Sequence, residues 1–354
     1  MNASIISARL SNQRLSSAKL QRPADVVRWL GAVQAQDFNA AKWALGLRMR
    51  AATNATIEDA FNRGEIVRTH LLRPTWHFVT PEDIRWLLDL TGPGVSRKCG
   101  SAYRAFELDE AVLKRTNSVI TKALKGGKHL TRAELRAKLN RAGIDADSSV
   151  RMGHILIHAE LAGVVCSGPL HGKQFTYALL DERVRPAKKL GRDEALGELT
   201  RRYFTSHGPA TQADFVWWSG LTTNDARAGI ALADRQLEKI SNKENTYWIS
   251  NSSPAVQKQR GAHLLPAYDE YTVAYKSREI VFHPDAASQL SAWGVLGPTI
   301  AVDGKIIGTW KSTPKNGSIT IALNSPKALT RAEKQAITAA SESYAAFFGA
   351  RYSS

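Results

Sequence analysis

Two glutamines, Gln34 and Gln36, flank Ala35 in the stretch LGAVQAQDFNAAKWALGLR, between two predicted helices. On a helix, residues two apart do not share a face. In extended chain they do. Two amides presented together can hold one water, because each carries both a donor and an acceptor. The ordinary polarity of a turn between helices accounts for the same residues, and residue type alone does not separate the two readings. Asp37 follows directly, which leaves open whether a carboxylate joins the pair.

The remaining chemistry-bearing groups point to structure. Asp269 and Glu270 stand between Tyr268 and Tyr271 in a segment that reads as β, where alternation sends neighbours to opposite faces, so a structural role is expected. His154 and His158 share a helix face at i, i+4 but have no further ligand-type residues nearby, which favours packing over metal binding. Cys99 and Cys166 are far apart and match no metal-ligand spacing; Cys166, in AGVVC, reads as a core residue, and no disulfide is expected. There is no GxxxxGK[ST], HExxH, CxxC or GxSxG, and the glycines of GVLGP and VDGKIIG sit among turns. No metal or other cofactor is expected.

The elements that must position these groups form a recurring pattern of three helices and a hairpin. In the first copy, helical spacing runs from Asp25 to Val33 after Pro23, then from Phe38 to Met49, then from a cap at Thr56 to Gly64. EIVRTHLLRPTWHFVT follows as two β runs around Leu72, Arg73 and Pro74, with Trp76 expected in the core. The second copy starts near Ala111. It contains a capping box at Thr131 and Glu134, a helix from about Arg151 to Leu161, and the hairpin GVVCSGPLHGKQFTYALL. The third begins around Asp193, with Thr211 capping a helix, LTTNDARAGIALA as the next one, and strands in LEKISNKENTYWIS. From about His263 the chain becomes β-rich, with a hairpin turn at Asp303-Gly304 and a final helix opened by the Thr330/Glu333 capping box. The fold expected is α+β: three tandem winged-helix modules at 1–95, 96–190 and 191–255, and a small C-terminal β-rich domain with a packed helix at 256–354.

Charge supplies the partner. The chain of 354 residues carries 48 Lys and Arg against 32 Asp and Glu, a net charge of +16. Between Arg97 and Arg141, twelve basic residues face four acidic ones, so half of the excess lies in one stretch. An anionic partner follows, and nucleic acid is the commonest. Arg97, Lys98, Arg104, Lys128 and Arg132 are candidate phosphate contacts; Arg73, Thr75 and His77 are candidates on the first wing, and Lys305 and Lys311 on a hairpin able to enter a groove. With 43% hydrophobic and 23% charged residues the composition excludes a disordered chain. No apolar run approaches the roughly 18 residues of a membrane span, and the N-terminus lacks a signal-peptide core, so a cytoplasmic location is expected; a monomer is expected because one chain already assembles several modules.

GAVQAQDFNAAKWALGLRMR and GEIVRTHLLRPTWHFVTPEDIRWLLDL, with the later LLPAYDEYTVAYKSR and VDGKIIGTWK, resemble the winged-helix DNA glycosylases of the AlkZ/YcaQ type over nearly the whole chain. In that family a Gln-x-Gln or Gln-x-Asp motif carries catalysis, and Gln34-Ala35-Gln36 matches the Gln-x-Gln branch, associated with self-protection against DNA-alkylating natural products. The resemblance implies tandem winged helices lining a basic concave channel. It also implies a monofunctional glycosylase that acts on double-stranded DNA containing cationic N7- or N3-alkylated purines, bulky adducts and interstrand crosslinks included. Winged helices are mostly regulators, so fold alone leaves a non-catalytic DNA-binding protein or damage sensor as the alternative.

Overall fold

A computed structural model describes residues 2–187, 189–241, 245–253, 261–286 and 297–353. The chain opens with helix α1 (Asn2–Asn12), ahead of the first helix expected from the apolar spacing after Pro23. Helix α2 (Pro23–Leu30) starts on a proline at its first turn and stops at Gly31, whose φ is +82°. That stop corrects the expected helix end at Val33: Val33 and Gln34 instead form strand β1 (Val33–Gln34). Helix α3 (Phe38–Gly46) is capped by Asp37, whose side chain accepts from the Ala40 amide. Helix α4 (Asn54–Arg63) is capped by Thr53, with Thr56 donating its amide to the Thr53 hydroxyl, so the cap lies three residues earlier than expected. Strands β2 (Val67–Leu71) and β3 (Thr75–Val79) close a sheet of order β1-β3-β2.

The same order returns twice. Helix α5 (Ile84–Ala105) runs on to α6 (Glu110–Leu124), β4 (Leu130–Thr131), α7 (Arg132–Arg141), α8 (Ser149–Leu161), β5 (Val165–Ser167) and β6 (Thr176–Leu179). Their sheet has the order β4-β6-β5, with the short strand again on the last one. After α9 (Leu180–Arg183) come α10 (Arg192–Ser206), α11 (Gln212–Ser219), α12 (Thr223–Leu232), β7 (Leu237–Ser241) and β8 (Thr246–Ser250). Here a single bridge, Ala210 to Trp248, takes the place of the short strand. Capping boxes fix three of the starts: Thr131 with Glu134, Thr211 with Asp214, and Thr222 with Asp225.

The C-terminal part is a five-stranded sheet of order β13-β12-β11-β10-β9, curled into a half-barrel. Its strands are β9 (Ala262–Leu265), β10 (Thr299–Val302), β11 (Lys305–Lys315), β12 (Ser318–Asn324) and β13 (Arg351–Ser353). The expected β character of 263–282 holds only to Leu265. Tyr268 takes a φ of +59°, and a one-turn helix α13 (Glu270–Val273) follows, capped by Asp269. Helix α14 (Arg331–Phe347) packs on the sheet and on α3, where a Cβ at Gly46 would meet the Phe347 ring at 2.7 Å. The Asp303-Gly304 turn is present, but Gly304 lies under Ile6 and Leu10 of α1 and does not project. Of GVLGP, 294–296 lie outside the described residues, as does the polar turn at 242–244. Among the described residues no helix is long and apolar enough to cross a membrane.

Candidate active site

The chain leaves the sheet at the end of β1, so the two glutamines meet different surroundings. Gln34 is 6% exposed and stands opposite His77 on β3. Cross-strand partners share a face, which places Gln34 with His77, Thr69 and Thr75. Gln36 is exposed; its side-chain oxygen accepts from the Trp76 amide at a long 3.4 Å. Arg73, from the β2–β3 turn, donates to the Gln34 amide oxygen at 2.7 Å and to the carbonyl of Trp218 at 3.0 Å. On the opposite face Arg68 donates to the Ala35 carbonyl at 2.9 Å and lies 4.2 Å over the Trp76 ring. Burial lowers the pKa of Arg68 to about 10. Trp76 is thus half-buried beneath a cation and is not a core residue.

A carboxylate joins the motif from far along the chain. Glu270 is fully buried, and its oxygens accept from the Gln34 backbone amide and the Trp218 indole, each at 2.9 Å. His207 Nε2 lies 3.3 Å from the same group. Asp269 is held elsewhere, by a two-pronged pair with Arg48 in which both bonds are 2.8 Å and both side chains are fully buried. Burial lowers the Arg73 pKa, and the Glu270 charge acts against that shift. Burial, then the nearby Arg73 charge, push His77 well below its ordinary value; its Nδ1 sits on the Thr75 carbonyl, so the ring is neutral with Nδ1 as donor.

The other candidates are spread over the surface. Arg97, Lys98 and Arg104 are exposed on α5, and Lys128 is exposed in the turn before β4. Lys98 reaches the Gly220 carbonyl, and Arg132 is engaged with Ser149. Lys305 donates to the Ile280 carbonyl, while Lys311 is exposed on β11. Thr75 is half-buried and His77 fully buried, away from the surface. His154 stacks on Phe106, and both His154 and His158 meet Tyr103 edge-on. Beside Arg73 opens a cleft of about 630 Å³, lined by Lys98, Trp217 and Lys276 among others, with Trp217 43% exposed.

Sequence reasoning missed Glu270, Arg68 and the Trp217-Trp218 pair as parts of this site. The signal for Glu270 was the Asp-Glu pair itself, read as strand because its flanking tyrosines and valine favour β structure. Asp37, left open by the sequence as a possible third member of the pair, caps α3: one oxygen of its exposed side chain accepts from the Ala40 amide.

With this geometry in view, the likeness to known proteins is specific. A curated relative, the "Interstrand DNA cross-link repair glycosylase" of Streptomyces sahachiroi, is 26% identical over 332 residues, covering 86% of this chain and 85% of that protein. The solved structure of Streptomyces sahachiroi DNA glycosylase AlkZ superimposes with a TM-score of 0.80 at 22% identity, covering 99% of both chains. The family described as "DNA glycosylase AlkZ-like" matches residues 27–347, and the chain belongs to that family of hydrolases of N-glycosyl bonds in DNA.

Proposed function

We propose that the protein is a monofunctional glycosylase, acting as a monomer, that excises cationic N7- or N3-alkylated purines from double-stranded DNA. The observation that carries this reading is the pair of amides at the end of β1 together with the commitment of the adjoining acids: Asp37 caps α3, and Glu270 is fully buried on two N–H donors. Both acids therefore have structural tasks, which supports a scheme that needs no general acid. Glutamine does not titrate near neutrality, so catalysis rests on positioning and electrostatics. A purine alkylated at N7 or N3 already carries positive charge and leaves without a general acid. Gln34 and Gln36 hold the attacking water against the anomeric carbon. DNA phosphates and amide oxygens stabilise the oxocarbenium character that develops on the sugar.

The three helix-and-hairpin units are tandem winged helices, at about 1–95, 96–190 and 191–255, with the β-rich unit at 256–354. Together they line a basic concave channel for the duplex. The name of the S. sahachiroi relative supports extending the substrate class to interstrand crosslinks.

The test is excision of N7-methylguanine from duplex DNA in EDTA, read by alkaline cleavage at the abasic site. Wild type is expected to cleave, and Gln34→Ala/Gln36→Ala to lose on the order of 10² or more in rate, as when a positioning contact is removed. Efficient excision of uracil or hypoxanthine would contradict the scheme, because those uncharged bases are poor leaving groups unless the site protonates them or stabilises the departing anion.

A further inference from the structure

We propose that Arg73 is a positioning residue that gives the two glutamines opposite hydrogen-bonding roles: Gln34 as donor to the attacking water and Gln36 as acceptor. This rests on the glycosylase reading of the motif above.

The guanidinium sets the orientation of the first amide. Arginine has five N–H donors and no acceptor, so whatever it touches at hydrogen-bond distance must present an oxygen. The Gln34 amide is therefore oriented without ambiguity: its oxygen takes the proton of Arg73 Nη2 at 2.7 Å. Arg73 is itself held. Its Nη1 donates to the carbonyls of Trp218 at 3.0 Å and Trp217 at 3.3 Å, at the C-terminal end of α11, where helix carbonyls favour a cation. Glu270 ties the same two elements from behind, accepting from the Gln34 amide on β1 and from the Trp218 indole on α11. Backbone and side chain of Gln34 are thus clamped by a carboxylate and a cation whose charges offset one another. That balance matters beside a sugar that becomes positive.

With its oxygen turned to Arg73, Gln34 presents its nitrogen, which has no protein acceptor among the described residues. Gln36 is exposed, and its oxygen takes the Trp76 amide at a long 3.4 Å through one lone pair, which leaves the second lone pair open to solvent. A water between them accepts from Gln34 Nε2 through one lone pair and donates one proton to Gln36 Oε1. Its second lone pair is left for attack on the anomeric carbon, and its second proton for a DNA phosphate oxygen.

Substitutions that reverse hydrogen-bond polarity without changing shape test this. Gln34→Glu keeps an oxygen for Arg73 but presents a second oxygen outward in place of the donor. It is expected to fall as far as Gln34→Ala, on the order of 10²-fold in single-turnover excision of N7-methylguanine. Gln36→Glu keeps an outward acceptor and is expected to stay within about tenfold of wild type, well above Gln36→Ala. Arg73→Ala is expected to lose about as much rate as Gln34→Ala, and the double variant no more than either, because one residue acts through the other. DNA affinity, measured separately, should change less than about threefold in Arg73→Ala, with Arg73→Lys recovering part of the rate; thermal melting shows that each variant is folded. A Gln34→Glu protein as fast as wild type overturns the polarity. Multiplying losses in Arg73→Ala/Gln34→Ala, or a loss of affinity matching the loss of rate, makes Arg73 an independent DNA contact and overturns the positioning role. If Gln34→Ala and Gln36→Ala both keep full rate, the reading of the motif itself falls.

Discussion

At the scale of single residues, burial decides what each group near the motif can do. His77 and His207 are both fully buried, and burial lowers both pKa values. The unfolded chain holds each near the usual 6.5. As pH falls below that value, the unfolded state binds protons that the folded state refuses. Stability is therefore fully present above about pH 6.5 and declines as the solution is acidified, more steeply through His77, which burial pushes well down, than through His207, where Glu270 opposes the shift; one proton corresponds to a slope of about 1.4 kcal/mol per pH unit. Urea midpoints measured from pH 7.5 to 5 should fall accordingly. His77→Asn, though less stable at every pH, should show a slope smaller by about one proton. An unchanged slope in that variant would mean His77 is charged in the fold. The Gln36 side chain, in contrast, is exposed and carries no such linkage.

At the scale of elements, the site depends on a short segment brought in from the C-terminal third. Asp269 caps α13 and forms the buried pair with Arg48, just past the end of α3, which is what sets Glu270 behind β1. Removing one partner of a buried ion pair leaves the other charge unpaired in low dielectric, at a cost of about 3–5 kcal/mol. Arg48→Met should lose about that much in chemical unfolding and should lower excision as well, since Glu270 would no longer be held against Gln34. A variant of unchanged stability would show that the pair is compensated by its neighbours. The starts and stops of helices were legible in advance where the cap is local: the boxes at Thr131 and Thr330 and the cap at Thr211 were read from the chain and are present, and the structure adds Asp214 as the partner that makes the Thr211 cap a box. Where two threonines compete, as at Thr53 and Thr56, local spacing does not choose between them. The end of α2 was misplaced because Val33 fits an apolar helical position as well as a strand, and pairing with Phe78 decides it.

For the whole molecule, the charge excess should govern DNA binding through counterion release. With about 6–10 phosphates engaged, affinity should drop by about 10³–10⁵ between 50 and 200 mM salt. Arg97→Ala and Arg104→Ala, both exposed on α5, should each reduce the salt slope by about one. Lys305→Ala should leave it unchanged, because that amine is already on the Ile280 carbonyl and its hairpin tip is covered by α1. An equal effect at Lys305 would place the C-terminal hairpin on the DNA.

The sequence by itself determined what depends on neighbours a few residues apart: the recurring helix-and-hairpin pattern, most helix caps, the Asp303-Gly304 turn, the Gln34-Ala35-Gln36 motif and the basic excess. Those signals act through backbone amides within a turn or through summed charge, and neither needs the rest of the fold. Only the tertiary structure decided that Gln34 is buried while Gln36 is exposed, that Arg73 faces inward to an amide, and that Glu270 closes the site from 236 residues away. Contacts at that separation leave no periodic trace in the chain. They exist because packing of α3, α11 and the C-terminal segment removes water from charged groups, which must then find one another.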